Sequence, residues 1–223
     1  MLETVLGLAR YHILDRLPTE MGAVCTGGLA LDKLSHVDRF RHYVIQDALY
    51  LVGFGQALAL AAAKADDPDH IAQFARGAET AILVERDLHA QYFKRFGIDP
   101  AAAAGVPMSP ACHHYVGFLL ATGFREPLAV HLAALLPCFW IYREVGRHIH
   151  AGAAPTNPFR AWIDTYAGEE FDAAVNDMIA TTDLIAGKQS DTTLAGMHAA
   201  FTRATQLEWM FWDSAYRQET WPV

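Results

Sequence analysis

Cysteine is scarce in this sequence, with three in 223 residues: Cys25, Cys112 and Cys138. The number is odd and no pair has CxxC spacing, which excludes a disulfide framework or an ordinary cysteine-rich zinc site. Positive charge is also short. There are 17 Lys and Arg against 25 Asp and Glu, a net charge of −8, so the chain offers no electrostatic footprint for nucleic acid or an anionic membrane surface. No alternating apolar–polar run marks a half-buried strand. No glycine-rich phosphate loop follows a strand pattern, no GxSxG is present, and there is no low-complexity tract or internal repeat. The opening MLETVLGLARYHILDRL lacks the basic start, apolar core and small-residue cleavage site of a signal peptide. His131 and Arg143 interrupt the most apolar region, so no run is expected to reach membrane-spanning length. The expectation is a soluble, cytoplasmic, globular protein with no nucleic-acid or membrane partner.

What is present is helical. About half of the residues are apolar (52%), and the chain is long enough to bury a large core. Residues 3–17 form a first amphipathic pattern, ended by Pro18, and Gly27-Gly28 marks a break. Ser35, with Asp38 three residues on, reads as a capping-box variant opening a helix to Lys64. Pro68 suits the first turn of the next helix, and Gly97 its C-terminal cap. Residues 98–110 read as a loop of Pro, Gly and Ala. Further helices follow from Ser109-Pro110, Pro127, Asn157-Pro158 and residue 169, with a last one from about Asp191 to Arg217. The sum is an all-α, single-domain bundle of about seven or eight helices over residues 1–223.

The most informative stretch is LLPCFWIYREVG, residues 135–146. Cys138 and Tyr142 are four apart and share a helix face. Pro137 has no N–H and clashes with the carbonyl four residues back, which predicts a kink just before the thiol. Asp47 and Tyr50 share a face of a helix that is nearly apolar all round in its second half. A carboxylate there, far from either helix end, needs a reason: partial exposure or a salt bridge on one reading, a ligand on the other. Tyr115 lies in the helix after Ser109-Pro110, and Trp162 and Tyr166 are four apart in WIDTY. Glu208 sits between Leu207 and Trp209. The adjacent His113 and His114 diverge and make poor joint metal ligands.

Taken in order, QDALYL, Tyr115, LLPCFWIYREVG, WIDTY and EWMFWDSAY resemble the TenA family, the bacterial thiaminase II proteins, over residues 35–217. The Pro-Cys-x-Trp-x-Tyr-x-Glu-x-Gly core and the Glu-x-x-Phe-Trp-Asp tail are specific together. The resemblance implies a haem-oxygenase-like helical fold without haem or other cofactor, and a homotetramer. It implies hydrolysis of thiamin-related aminopyrimidines to hydroxymethylpyrimidine for salvage, and cleavage of thiamin. Catalysis falls to Cys138 and Glu208, and substrate binding to Asp47, Tyr50, Tyr115, Tyr142 and Tyr166. The family's name carries a transcription-enhancing label, but the net charge and the missing DNA-reading motif speak against that mechanism. The start departs from the family pattern: DRLPTEMGAVCTGG stands where members carry His-Pro-Phe, so the entry side of the pocket is expected to differ.

The chemistry fits these residue types. A thiolate adds to an electron-poor 4-aminopyrimidine, the leaving group departs from the methylene arm, water adds there, and the thiolate leaves. A free thiol titrates near about 8.5, so the nucleophile needs a nearby donor, for which Tyr142 and Tyr166 are candidates. Glu208 suits proton transfer if its apolar setting keeps the carboxyl protonatable. Asp47 suits the amino edge of the ring, and the tyrosines suit its face. Two other readings stand beside this one. A metal-dependent oxidase would take ligands from Glu85-x-x-x-His89 and Glu144-x-x-x-His148, each one residue longer than the usual di-iron spacing. A non-catalytic pyrimidine-binding protein would bind without turnover.

Overall fold

A computed structural model describes residues 33–223, with side chains from residue 37 onward except those of 84–86. The expected first helix, the Gly27-Gly28 break, Cys25 and the departure from the family's His-Pro-Phe lie outside the described residues. Among the described residues there are eight helices and no strand. They are α1 (Lys33–Lys64), α2 (Pro68–Phe96), α3 (Pro100–Ala104), α4 (Pro110–Arg125), α5 (Leu128–Gly152), α6 (Arg160–Ala167), α7 (Glu169–Ala186) and α8 (Asp191–Arg217).

Three helix starts share one device. Asp67 accepts from the Asp69 amide at 2.8 Å, Asp99 from the Ala101 amide at 3.1 Å, and Ser109 from the Cys112 amide at 3.2 Å. A proline follows each cap, where a missing N–H costs nothing. The Asp99 cap corrects the reading of residues 98–110 as loop. Asp99, Pro100 and four alanines are enough for one helical turn, which Gly105 ends. A second correction concerns Ser35. The first helix begins at Lys33, so Ser35 lies inside its first turn rather than ahead of it.

By contact the chain sorts into two compact units. The first comprises residues 33–128 and 210–223. Here α1 packs along α2 and α4. Its core is built on Phe40, Tyr43, Tyr50, Phe74, Tyr115 and Phe211, all among the largest fully buried side chains. Lys64 ties the end of α1 to the end of α4, donating to the carbonyls of Gly123 and Glu126. Gln46 fastens the loop before α4, donating to the Pro107 carbonyl at 3.1 Å and accepting from the Ser109 amide at 2.7 Å.

The second unit is Ala129–Trp209. Its central helix, α5, is buried at sixteen positions from Ala129 to Ile149. It runs on through Pro137, which has no N–H to give the Ala133 carbonyl. An interior proline typically costs a helix about 3 kcal/mol, and the apolar burial on either side offsets it. On the polar side Arg143 bridges α5 to α7 through Asn176 at 2.8 Å and Asp172 at 3.4 Å, and Arg147 joins Asp172 at 2.6 Å.

Two helices, Val37–Lys64 of α1 and α5, are long and apolar enough to span a membrane by length and composition. That corrects the expectation that His131 and Arg143 keep every run too short: so few polar side chains do not lower the hydropathy of a long helix enough. Within the protein 61% and 78% of these windows are buried, as in the core helices of a globular fold.

Candidate functional site

The candidate residues fall into two groups, one in each unit. In the second unit, Cys138 is mostly buried at 8% exposure, and Tyr142 lies one turn further along α5. The Tyr142 and Tyr166 rings stand 4.9 Å apart, and Trp162 packs 4.7 Å from Tyr166. Phe171 meets Tyr166 edge-on at 5.1 Å. The close approach of α6 to α5 depends on Gly146, since a Cβ there would lie 2.8 Å from the backbone of Tyr166. The glycine that closes the sequence motif therefore has a steric reason. Glu208, on α8, is 1% exposed.

In the first unit, Asp47 is 2% exposed. Its Oδ2 lies 3.0 Å from Nε2 of His89, itself buried on α2. The reason sought for a carboxylate amid apolar residues is thus partly an imidazole on the neighbouring helix. Tyr50 and Tyr115 are both buried with ring centroids 5.0 Å apart. Phe54 stacks on Tyr50 at 5.7 Å and Phe211 lies 5.5 Å from it. Such aromatic pairs are worth roughly 0.5–1.5 kcal/mol each beyond their buried area. Here too a glycine permits the crossing. A Cβ on Gly53 would fall 2.4 Å from the Val116 side chain; Gly53 lies one turn after Tyr50, and Val116 directly follows Tyr115.

Cys112 belongs to this group by position but not by reactivity. Its Sγ faces the Gln46 carbonyl at 3.5 Å. Burial, and then the charge of Asp47, push its thiol up to about 12. Near neutral pH it is held as the thiol, the poorer nucleophile.

The ligand sets weighed for a metal are differently engaged. His89 faces Asp47, Glu144 accepts from Arg143 at 3.2 Å, and His148 is exposed. The side chain of Glu85 lies outside the described residues. Among the described residues no group of three or more His, Cys, Asp or Glu stands together as a metal site would need. Two residues that sequence reasoning did not place in the site are His89, considered only as a ligand, and Trp162. The i, i+4 spacing of Trp162 to Tyr166 was the available signal for the second. For the first, the unexplained Asp47 called for a partner but not for a particular one.

The helices and these buried groups define an all-α protein of the haem-oxygenase-like class, the fold of the TenA proteins. The chain belongs to the TENA/THI-4/PQQC family, whose model matches residues 32–218. The aminopyrimidine aminohydrolase of Bacillus subtilis (strain 168) is 32% identical over 186 residues, covering 83% of this chain and 78% of that protein. That of Halalkalibacterium halodurans is 30% identical over 185 residues, covering 82% and 83%. Among solved structures, a TenA family transcription regulator from Silicibacter sp. TM1040 superposes with a TM-score of 0.82 at 26% identity, covering 95% of this chain and 96% of that one. A TenA homologue from P. horikoshii OT3 gives 0.77 at 26% identity, covering 96% and 94%.

Proposed function

We propose that this chain is an aminopyrimidine aminohydrolase of the thiaminase II type, acting in thiamin salvage. Similarity to the two aminohydrolases supports the reaction class. The observation that carries the assignment of residues is the placement of Cys138 on α5, one turn before Tyr142, whose ring packs at 4.9 Å on Tyr166.

In this reading the Cys138 thiolate adds to the ring of a 4-amino-5-aminomethylpyrimidine, forming a C–S bond while a ring nitrogen takes a proton. Tyr142 and Tyr166 supply the hydroxyl donors that favour the thiolate. The ring electrons then expel the amine from the methylene arm, and Glu208 gives the proton that lets it leave neutral. Water adds to the exposed methylene, Glu208 recovers a proton, and the C–S bond breaks as the ring nitrogen gives up the proton it took, releasing hydroxymethylpyrimidine and the thiolate. With thiamin the leaving group is the thiazole, which departs without needing a proton. Asp47 accepts from the 4-amino group and from a protonated ring nitrogen, a paired and charge-assisted geometry. Tyr50 and Tyr115 face the ring.

We place the enzyme in the cytoplasm as a homotetramer acting on small molecules, without nucleic-acid or membrane partners. The net charge of −8 supports the absence of a nucleic-acid grip. Light scattering at micromolar concentration and a mobility assay with DNA test these two statements, against which a monomer or tight sequence-dependent binding would count.

The deciding experiment is turnover of aminomethylpyrimidine, its formyl derivative and thiamin side by side, for the wild type and Cys138→Ala. The variant should keep its helical spectrum and lose more than about a thousandfold in kcat/KM, as removal of a nucleophile does. Retention of most activity would reject Cys138 as nucleophile. Binding without turnover in the wild type would make the chain a pyrimidine-binding protein.

A further inference from the structure

His89 has no part in the scheme above. It stands on α2, 6% exposed, with Nε2 3.0 Å from Asp47 Oδ2. Phe93, one turn further along, has its ring 6.4 Å away. A carboxylate buried to 2% exposure is costly unless it is paired and hydrogen-bonded. With the carboxylate ionised, which only accepts, this contact needs the hydrogen on Nε2.

We propose that His89 is a positioning residue: its Nε2–H fixes the rotamer and plane of the Asp47 carboxylate, and thereby sets the enzyme's preference for a ring bearing a 4-amino group. This rests on reading Asp47 as the acceptor for that edge of the pyrimidine. An aspartate in mid-helix has staggered choices at χ1 and a broad, soft χ2. A planar, two-point acceptor needs both angles fixed. The bond from α2 fixes them, because α2 is packed along α1 and the imidazole arrives from a second backbone. A carboxylate offers about four lone-pair sites, and the bond to His89 takes up one of them. A mere tie between α1 and α2 would account for the contact too. It would change stability but not discrimination between rings.

The test measures binding of hydroxymethylpyrimidine with and without its 4-amino group, by calorimetry, to the wild type, Asp47→Asn, His89→Asn and His89→Gln. The glutamine amide nitrogen reaches about as far as Nε2 and can still donate to Asp47, whereas the shorter asparagine amide cannot. The wild type should prefer the amino ring, and Asp47→Asn should lose roughly 10- to 150-fold of that preference. His89→Asn should lose about tenfold or more, while His89→Gln stays within about threefold of the wild type. If Asp47→Asn loses the preference and a folded His89→Asn keeps it, the inference is wrong and the reading of Asp47 stands. If the wild type shows no preference, or Asp47→Asn retains it, the reading of Asp47 fails and the inference falls with it. Should His89→Asn not fold, imidazole 15N spectra of the wild type decide, with the His89 signal assigned by its absence in His89→Gln. The Nε2–H resonance should move on adding the amino ring and not on adding the ring that lacks it. Equal movement with both rings overturns the proposal.

Discussion

A Cβ on Gly146 would stand 2.8 Å from both the carbonyl carbon and the Cβ of Tyr166, and 2.9 Å from its carbonyl oxygen. These are backbone or backbone-proximal atoms, which cannot swing aside as the tip of a long side chain can. α5 and α6 meet as closely as they do because residue 146 carries no side chain. Tyr142, one turn earlier on α5, reaches Tyr166 across the same junction.

Gly146→Ala therefore tests whether the tyrosine pair matters. Alanine favours a helix interior over glycine by about 1 kcal/mol, but forcing α6 outward costs about 1–3 kcal/mol, as overpacking does. The expected result is a net loss of stability in urea denaturation, with a fall in kcat/KM larger than any change in helix content. A variant as stable and as active as the wild type would show that α6 moves freely and that the Tyr142–Tyr166 contact does not tune the thiol.

Cys112 should be silent toward alkylation. Its thiol is pushed up to about 12 and it is fully buried. Iodoacetamide at pH 8 followed by peptide mass mapping should leave Cys112 unmodified in the folded protein and modified after denaturation. Rapid labelling of folded protein at this position would show that α4 opens readily.

Thr205 offers a contrast among threonines. The hydroxyls of Thr122, Thr165 and Thr182 donate back along their own helices at 2.7, 2.9 and 2.7 Å. The Thr205 hydroxyl is buried with no hydrogen-bond partner among the described residues. Thr205→Val keeps the shape and removes the orphaned group. It should leave stability unchanged or raise it by about 1 kcal/mol, whereas Thr182→Val should lose about 0.5–1.5 kcal/mol. Denaturation midpoints of the two variants measured in parallel give the answer.

His42 gives stability a pH dependence of known sign. Burial lowers its pKa below 6.5, partly opposed by the Glu219 carboxylate. The folded protein therefore holds the neutral imidazole, and the unfolded chain takes up a proton first as pH falls. This contribution is complete above about 6.5 and is lost as pH drops toward the folded value. His42→Gln should flatten the fall in stability below neutral pH. Glu219→Gln removes the opposing charge and should steepen it. An unchanged slope in both variants would show that His42 titrates alike in the two states.

Much of the helical plan was legible because each signal is local. Asp67-Pro68 and Ser109-Pro110 announce helices in the residues that cap them. Asp99-Pro100 carries the same signal, but the helix it opens is a single turn, too short to show periodicity. Cys138 and Tyr142 share a face by spacing alone, and so do Trp162 and Tyr166. The pairings of Asp47 with His89, of Tyr50 with Tyr115, and of Gly146 with Tyr166 are different. They join residues far apart in sequence, where local propensity says nothing and only packing decides. Asp47 showed from sequence that something must answer its charge. Which side chain does so depends on how α2 lies along α1.

The first unit is closed by residues 210–223, far along the sequence from its other helices. Trp212 lies 5.3 Å from Tyr43, Phe211 packs on Tyr50, the Arg39 guanidinium sits 4.0 Å over the Tyr216 ring, and Trp221 donates to the Met108 carbonyl at 2.8 Å. During synthesis, elements fold as they emerge from the ribosome, earlier ones first. Tyr43 and Tyr50 must then wait, with part of their aromatic surface uncovered, until residues 210–221 clear the exit tunnel. This unit completes itself only once that late segment is free to pack, and the nascent chain is a natural client for chaperones that shield exposed aromatic surface.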